Sequence, residues 1–196
     1  MRKRGVDRRV QRTRTLLQDA LIGLMMEKGY EAATVQDIID RANVGRATFY
    51  AHFADKETLL SSRLEDLRNL LLARQREAPA LGFSLAMLEH AYTHLRLYQA
   101  IIGRDSGAFV VQRIHRTIAE LATKDVQALG FRGTVEERTL AAEYIAGAFM
   151  AVLTWWLDRG ATLPPQEVDA IFRRLVMPGL ASELGLKANA VARASP

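Results

Sequence analysis

The chain has 196 residues, of which 49% are hydrophobic and 25% charged, an ordinary composition for a globular protein with room for one large domain or a small one beside a larger one. It has no cysteine, which excludes disulfides and thiolate metal centres and fits a reducing compartment. The net charge of +5 sits at the start: residues 1–14 hold Arg2, Lys3, Arg4, Arg8, Arg9, Arg12 and Arg14 against Asp7, while the remainder carries 20 basic and 21 acidic side chains.

Residues 1–12 therefore read as a basic arm. Such an arm condenses on phosphates and displaces counterions from a nucleic acid, although a solvated tail has the same composition. Gln18, Asp19 and Gly23 break the apolar run that a secretory signal needs, and the fold needs this helix, which argues against a transit peptide. Leu17, Ala20, Leu21, Leu24 and Met25 recur at helical spacing, so a first helix is predicted over 13–28, with Gly29 as its stop. Thr34 followed by Asp37 resembles a capping box for a second helix, lined on one face by Val35, Ile38, Ile39 and Ala42. Residues 43–45 form a turn, and a third helix of two turns is predicted over 46–53. Phe49 and Phe53, four apart, face inward with Val44. Arg46, Ala47, Thr48, Tyr50 and His52 then lie outside.

Asp55 caps a long fourth helix striped by Leu60, Leu64, Leu67 and Leu71 and ending near Glu77. Pro79 and Gly82 mark a joint. Further helices are predicted near 83–100, 107–128, 134–159 and 165–185, separated by Gly103, Gly130, Gly133 and Gly160. Thr134 and Glu137 form a second capping box, and Pro164 and Pro165 stand where a helix begins. The longest apolar run, residues 144–157, is too short for a bilayer span and suits a buried helix. No strand pattern and no repeat is present. The expected fold is all-α: a three-helix helix-turn-helix head at 13–58, a larger helical body at 59–186 and a frayed tail at 187–196.

A recognition helix must be narrow enough for the major groove and must show groups that meet base edges or phosphates. The third helix is short, and Gly45 and Ala47 at its start permit close backbone approach to DNA. Arg46 can bond a guanine edge or a phosphate, and Thr48 a thymine methyl or a phosphate. Tyr50 and His52 have the reach for the DNA backbone, and Thr34 and Lys56 start flanking helices that can clamp phosphates on either side. Singly, each has an ordinary surface or core explanation; their joint spacing carries the weight.

That spacing resembles the TetR family of bacterial transcriptional regulators over about residues 13–62, through Gly29, Tyr30, Thr34, Ile38, Ala42, Val44, Thr48, Phe49, Tyr50, His52, Phe53, Lys56, Glu57 and Leu59. The resemblance implies DNA contacts from Thr34, Thr48, Tyr50, His52 and Lys56, with help in recognition from Gln36, Arg46 and Ala47. Gly45 stands where the family usually has Ser, so no hydroxyl can reach the DNA from there while the backbone still can. The resemblance also implies a homodimer paired through the last two large helices, double-stranded DNA and a small-molecule effector as partners, and a bacterial cytoplasmic location. No cofactor or membrane is implied. Residues 141–152 suit the pairing role, with Ala146, Gly147 and Met150 as interface candidates among small side chains that permit close helix approach. Residues 144–160 also resemble the C-terminal helix of one subgroup. Tyr92, Tyr98, Phe109 and Trp155 are candidates for the effector pocket because they are large and aromatic on body helices, and plain core packing explains each as well. Arg96, Arg104 and Arg113 are further groups that can meet an anion or simply be solvated. The fourth helix is the expected lever between head and body.

Two other readings remain. His90 and His94 share a helix face at metal-binding spacing, with His115 as a third ligand, but Ala91 stands where a zinc protease helix has Glu; an enzyme is not expected. A DNA-binding module without ligand control, or an activator, has the same head.

Overall fold

In a computed structural model that describes residues 3–77, 80–102 and 108–183, the chain forms α1 (Lys3–Lys28), α2 (Val35–Ala42), α3 (Arg46–His52), α4 (Lys56–Glu77), α5 (Gly82–Thr93), α6 (Leu95–Ile102), α7 (Ala108–Ala128), α8 (Val135–Asp158) and α9 (Pro165–Glu183). The described residues contain no strand, as the all-α expectation required. The tail at 187–196, Arg104 and the Gly103 and Pro79 breaks lie outside the described residues.

The head is α1–α3 closed by the start of α4. Leu17, Leu21, Leu24, Ile38, Phe49, Phe53 and Leu59 bury almost completely around the short α3. Gly23 lets the Arg41 guanidinium lie across α1, since a Cβ there would stand 2.7 Å from it. Arg41 then grips Glu27 through one nitrogen at 2.6 and 2.7 Å, fixing α2 on α1. Asn43 makes the turn in the left-handed region (φ 51°), which its short amide side chain tolerates better than a branched one.

The first helix differs from its prediction. It starts at Lys3, so the described part of the basic arm is helical. Apolar periodicity begins only at Leu16 and Leu17 and says nothing about earlier residues. Arg and Gln have good intrinsic helix propensity, and Arg8, Arg9, Gln11 and Arg12 extend the rod with exposed side chains.

In the body, α7 runs along α8, α4 along α5, and α5 and α8 both pack on α9. Phe149 sits edge-on to Phe83 and Phe172, with ring centroids 5.6 and 5.2 Å away. The single helix predicted near 83–100 is two. Its break at His94 (φ −116°, ψ 34°) carries neither Gly nor Pro, so no local signal marks it. The bend brings the Tyr98 hydroxyl to 3.0 Å from His90 Nδ1. The 14-residue apolar run also belongs to a longer element. By length and composition alone α8 could cross a membrane, and 44% of its apolar window is buried inside the protomer.

The α4–α5 joint is held by a buried polar cluster. Leu81, fully buried, adopts φ 64°, a left-handed conformation that is costly for a bulky residue. Its N–H donates to Asp125 Oδ2 at 3.1 Å. Arg173 of α9 donates to Leu81 O, Ala80 O and Asp169 Oδ2, each at 2.7 Å. Ser84 Oγ donates to Asp169. Burial raises the Asp125 carboxyl above the usual range, and its hydrogen bonds with Gln75 and the Leu81 amide partly counter this.

Candidate nucleic-acid interface

α3 is positioned by an anchor and two caps. Phe49 is fully buried and Phe53 is 2% exposed, so the helix cannot rotate about its axis without opening the head core. Arg46, Ala47, Thr48 and Tyr50 are consequently turned to solvent, with Tyr50 49% exposed. His52 is half-buried beside Phe53. Gly45 caps α3 without a side-chain bond; a Cβ there would meet only Thr48 Oγ1 at an ordinary 3.7 Å, so space does not demand glycine.

The outward groups form a connected surface. Arg46 stands 3.5 Å from Gln36 Oε1 and 5.7 Å from the Tyr50 ring centre, and Gln36 Nε2 donates to Asp40 Oδ1 at 2.8 Å. Tyr50 lies edge-on to Phe49, which braces the ring on the core. Arg46 has no carboxylate partner among the described residues, so its charge is available to a ligand.

Thr34 and Lys56 are more constrained than their sequence positions suggest. The Thr34 hydroxyl accepts from the Asp37 amide and donates to the Asp37 carboxylate, closing the predicted capping box. Lys28 reaches the same carboxylate at 2.8 Å; that bond, followed by those from Thr34, holds the Asp37 carboxyl far below the usual range. Lys56 Nζ donates to the carbonyls of Tyr30 (2.9 Å) and Glu31 (3.3 Å) and sits 4.3 Å from the centre of the Tyr30 ring. It straps α4 to the α1–α2 turn, which leaves one of its three protons for a phosphate. Asp55 caps α4 through the Thr58 amide at 2.6 Å, as predicted.

Beside the head, α1 continues with Arg8, Arg9 and Arg12 exposed along its first described turns, while Arg14 lies over the Phe53 ring at 4.8 Å.

A cavity of about 170 Å³ lies between α1, α4, α5, α6 and α7. Its walls are mostly aliphatic, from Met25, Leu67, Ile101 and Ile114 among others, and one end is polar, with Arg63, His90, His94 and Tyr98. Of the four aromatic pocket candidates, Tyr98 lines it. Tyr92 and Trp155 are surface residues, 52% and 44% exposed. Phe109 is stacked on Tyr30, with centroids 5.8 Å apart, between body and head. Helical spacing shows that these rings are on helices; only the packing decides which face meets the hollow. Sequence reasoning missed Arg63, which stands half-buried on α4 and shares the cavity wall with Leu60, Leu64 and Leu67 of the leucine stripe.

The histidines belong to this polar end. Their rings stack at 4.4 Å, and His94 Nδ1 lies 3.0 Å from His90 O. Burial, then the charges of His94 and Arg63, push the His90 imidazole down to about 4, so it is neutral at pH 7. His115 is paired with Glu143 instead, at 3.7 Å.

The pairing candidates also divide. Ala146 and Met150 turn into the protomer's own core, 0% and 9% exposed, because that side of α8 packs on α7 and α9. Gly147 lies on the opposite face, where Leu140, Tyr144, Ala151 and Trp155 also recur every three or four residues and are exposed. Leu175, Pro178 and Gly179 of α9 are exposed too, and Gly179 shares a cleft with Leu140 and Tyr144. The two neighbouring helices thus share an exposed apolar stripe.

Residues 17–62 match the family described as "Bacterial regulatory proteins, tetR family", and residues 80–178 match the "Transcriptional regulator C-terminal region" family. The HTH-type transcriptional regulator YxbF of Bacillus subtilis (strain 168) is 29% identical over 178 residues, covering 84% of this chain and 44% of that protein. The HTH-type transcriptional repressor KstR2 of Rhodococcus jostii (strain RHA1) is 35% identical over 100 residues, covering 50% of this chain and 48% of that protein. The chain thus spans about half the length of these two relatives. A TetR transcriptional regulator from Streptococcus agalactiae 2603V superposes with a TM-score of 0.67 at 25% identity, covering 89% of this chain and 98% of that one.

Proposed function

We propose that this chain, which belongs to the tetR family of bacterial regulatory proteins, is a DNA-binding transcriptional regulator that works in the cytoplasm as a homodimeric repressor, released from its operator by a small molecule. The observation that carries this reading is the combination of a core-anchored α3, showing Arg46, Thr48 and Tyr50 to solvent, with an unpartnered apolar face on α8 and α9. One two-turn helix offers few contacts. Two heads related by a two-fold axis read half-sites about 34–36 Å apart, or multiples of that, and their contacts add. The KstR2 resemblance supports repression.

Within the head, residues Thr34, Gln36, Gly45, Arg46, Ala47, Thr48, Tyr50, His52 and Lys56 form the DNA surface. Arg46, Thr48 and Tyr50 are its centre. Thr34 contributes only if its hydroxyl turns from Asp37, and Lys56 acts chiefly by fixing the entry to α4.

Release requires that the ligand bind the DNA-incompetent shape better than the competent one. A tenfold loss of DNA affinity needs only about 1.4 kcal/mol of coupling. The cavity is placed to supply it. Ile22 and Met25 on its wall belong to α1, the floor of the head, and Val110 and Ile114 belong to α7, whose Phe109 stacks on Tyr30.

The test is selection of preferred duplexes from a random pool, followed by binding of the selected and scrambled duplexes to the parent and to Arg46→Ala. The parent should select a palindromic site. Arg46→Ala should cut discrimination by about 1–3 kcal/mol if the guanidinium reads a base, or weaken all duplexes alike if it holds phosphate. Absence of any selected site would reject the proposal.

The helical arm makes a second prediction. Changing Arg8, Arg9 and Arg12 together to Gln should flatten the plot of log affinity against log salt by about 0.9 for each phosphate that these side chains neutralise. Fluorescence anisotropy over a salt series measures it, and an unchanged slope would assign the arm no role on DNA.

A further inference from the structure

We infer that the body cavity takes a compact monocarboxylic acid, its apolar part among the leucine and isoleucine side chains and its carboxylate on Arg63 at the polar end. This names the ligand class for the effector reading above and rests on it. Three observations carry it.

The first is the unpaired cation. Arg63 lines the cavity half-buried, and among the described residues it has no hydrogen-bond or ion-pair partner. Of the other arginines of α4 and α7, Arg68 is engaged with Glu65 and Glu120, Arg74 with Glu77 and Arg113 with Ser61, while Arg76 and Arg116 are exposed to solvent. A guanidinium facing an apolar hollow without an anion is poorly compensated, and its planar fork matches a carboxylate with two parallel bonds.

The second is the character of its neighbours. Asp66, the acid in the cavity lining, is exposed and accepts from Gln18 Nε2 at 3.1 Å, and it stands beyond ion-pair distance of Arg63. His90 and His94 line the same end. His94 spends its Nδ1–H on the His90 carbonyl, so its neutral ring turns an acceptor outward. With the Tyr98 hydroxyl donating to His90 Nδ1, the neutral His90 ring keeps its Nε2–H as a donor. This end therefore offers one full positive charge and one imidazole donor, a match for one negative charge rather than for a cation or a dianion.

The third is size. At about 170 Å³ the cavity is close to the ~150 Å³ engineered apolar cavity that holds benzene. The apolar part of the ligand is thus a single ring or a short acyl chain.

Calorimetry on the full chain tests this with four probes: benzoate, hexanoate, benzamide and hexylamine. Benzoate and hexanoate should bind, and benzamide and hexylamine should bind at least about tenfold more weakly, the loss expected when a charge-assisted pair is forfeited. Arg63→Gln should weaken the acids by the same factor and abolish their advantage over benzamide. Arg63→Lys keeps the charge and should recover part of it. A thermal unfolding scan of each variant establishes that it is folded. Equal binding of benzamide and benzoate, or undiminished binding of the acids by Arg63→Gln, would overturn the inference. If benzamide or hexylamine binds best and releases DNA, the carboxylate assignment falls while the effector reading stands. If no probe binds, the assignment falls, and the effector reading falls with it only when a broad compound library also leaves the DNA complex intact.

Discussion

Arg173→Met is expected to lower the unfolding free energy by about 3–5 kcal/mol, as when one member of a buried ion pair is deleted. Arg173 is the hub of the cluster at the α4–α5 joint, with donors on Asp169, Ala80 and Leu81. Methionine fills similar space but leaves the Asp169 carboxylate buried beside Ser84 without its cation, and it takes the guanidinium bond from the Ala80 carbonyl, while Leu81 O keeps the Ser84 amide. It also removes a restraint on Leu81, whose left-handed backbone carries about 1–3 kcal/mol of strain. Urea unfolding monitored by helix content and by Trp fluorescence measures the change. The double variant Arg173→Met with Asp169→Leu should recover much of the loss, because an uncompensated charge costs more than an absent pair. A loss below about 1 kcal/mol for the single variant would show that the joint holds by apolar packing alone.

Gly147→Leu is expected to convert the proposed homodimer to monomer and to reduce operator affinity by about 10²–10⁴-fold, the gain that linked binding of two heads provides. Nothing within the protomer lies within 4 Å of a Cβ at Gly147, so the side chain fits the isolated chain. Leucine is also a better helix former than glycine by about 0.8–1 kcal/mol. The variant should therefore be at least as helical as the parent, and a loss of pairing cannot be laid to misfolding. Sedimentation and operator titration read the two effects separately. A dimer that survives would move the interface away from this face of α8.

The head was legible because local and tertiary signals agree there. The Thr34–Asp37 box, the Asn43 turn, the four-residue spacing of Phe49 and Phe53 and the Asp55 cap each constrain the backbone where they stand, and all four are realised. The body was legible in its helices and in the Thr134–Glu137 box, and much less in its faces. α8 is apolar on both sides, so no periodicity distinguishes Ala146, which packs inward, from Gly147, which does not. Trp155 looks like a pocket ring by size, but it stands on the outer side of α8 with Arg159 4.7 Å from its ring centre. At the break, Thr93 Oγ1 donates to Glu89 O and His94 Nδ1 to His90 O, side-chain bonds to the preceding turn that compete with the helix ladder and that no Gly or Pro announces. Lys56 was legible as a position but not as a strap, since its partners are backbone carbonyls 25 and 26 residues earlier.

Head and body meet in α1. Leu17, Leu21 and Leu24 of this helix are buried among the head residues, and Ile22 and Met25 form part of the cavity wall. A chimaera built to redirect this protein to new promoters, by exchanging everything before α4, would carry off one side of the cavity. On the proposed effector reading, the transplanted regulator would then answer to altered chemistry as well as to new genes, unless the two wall positions were restored by hand.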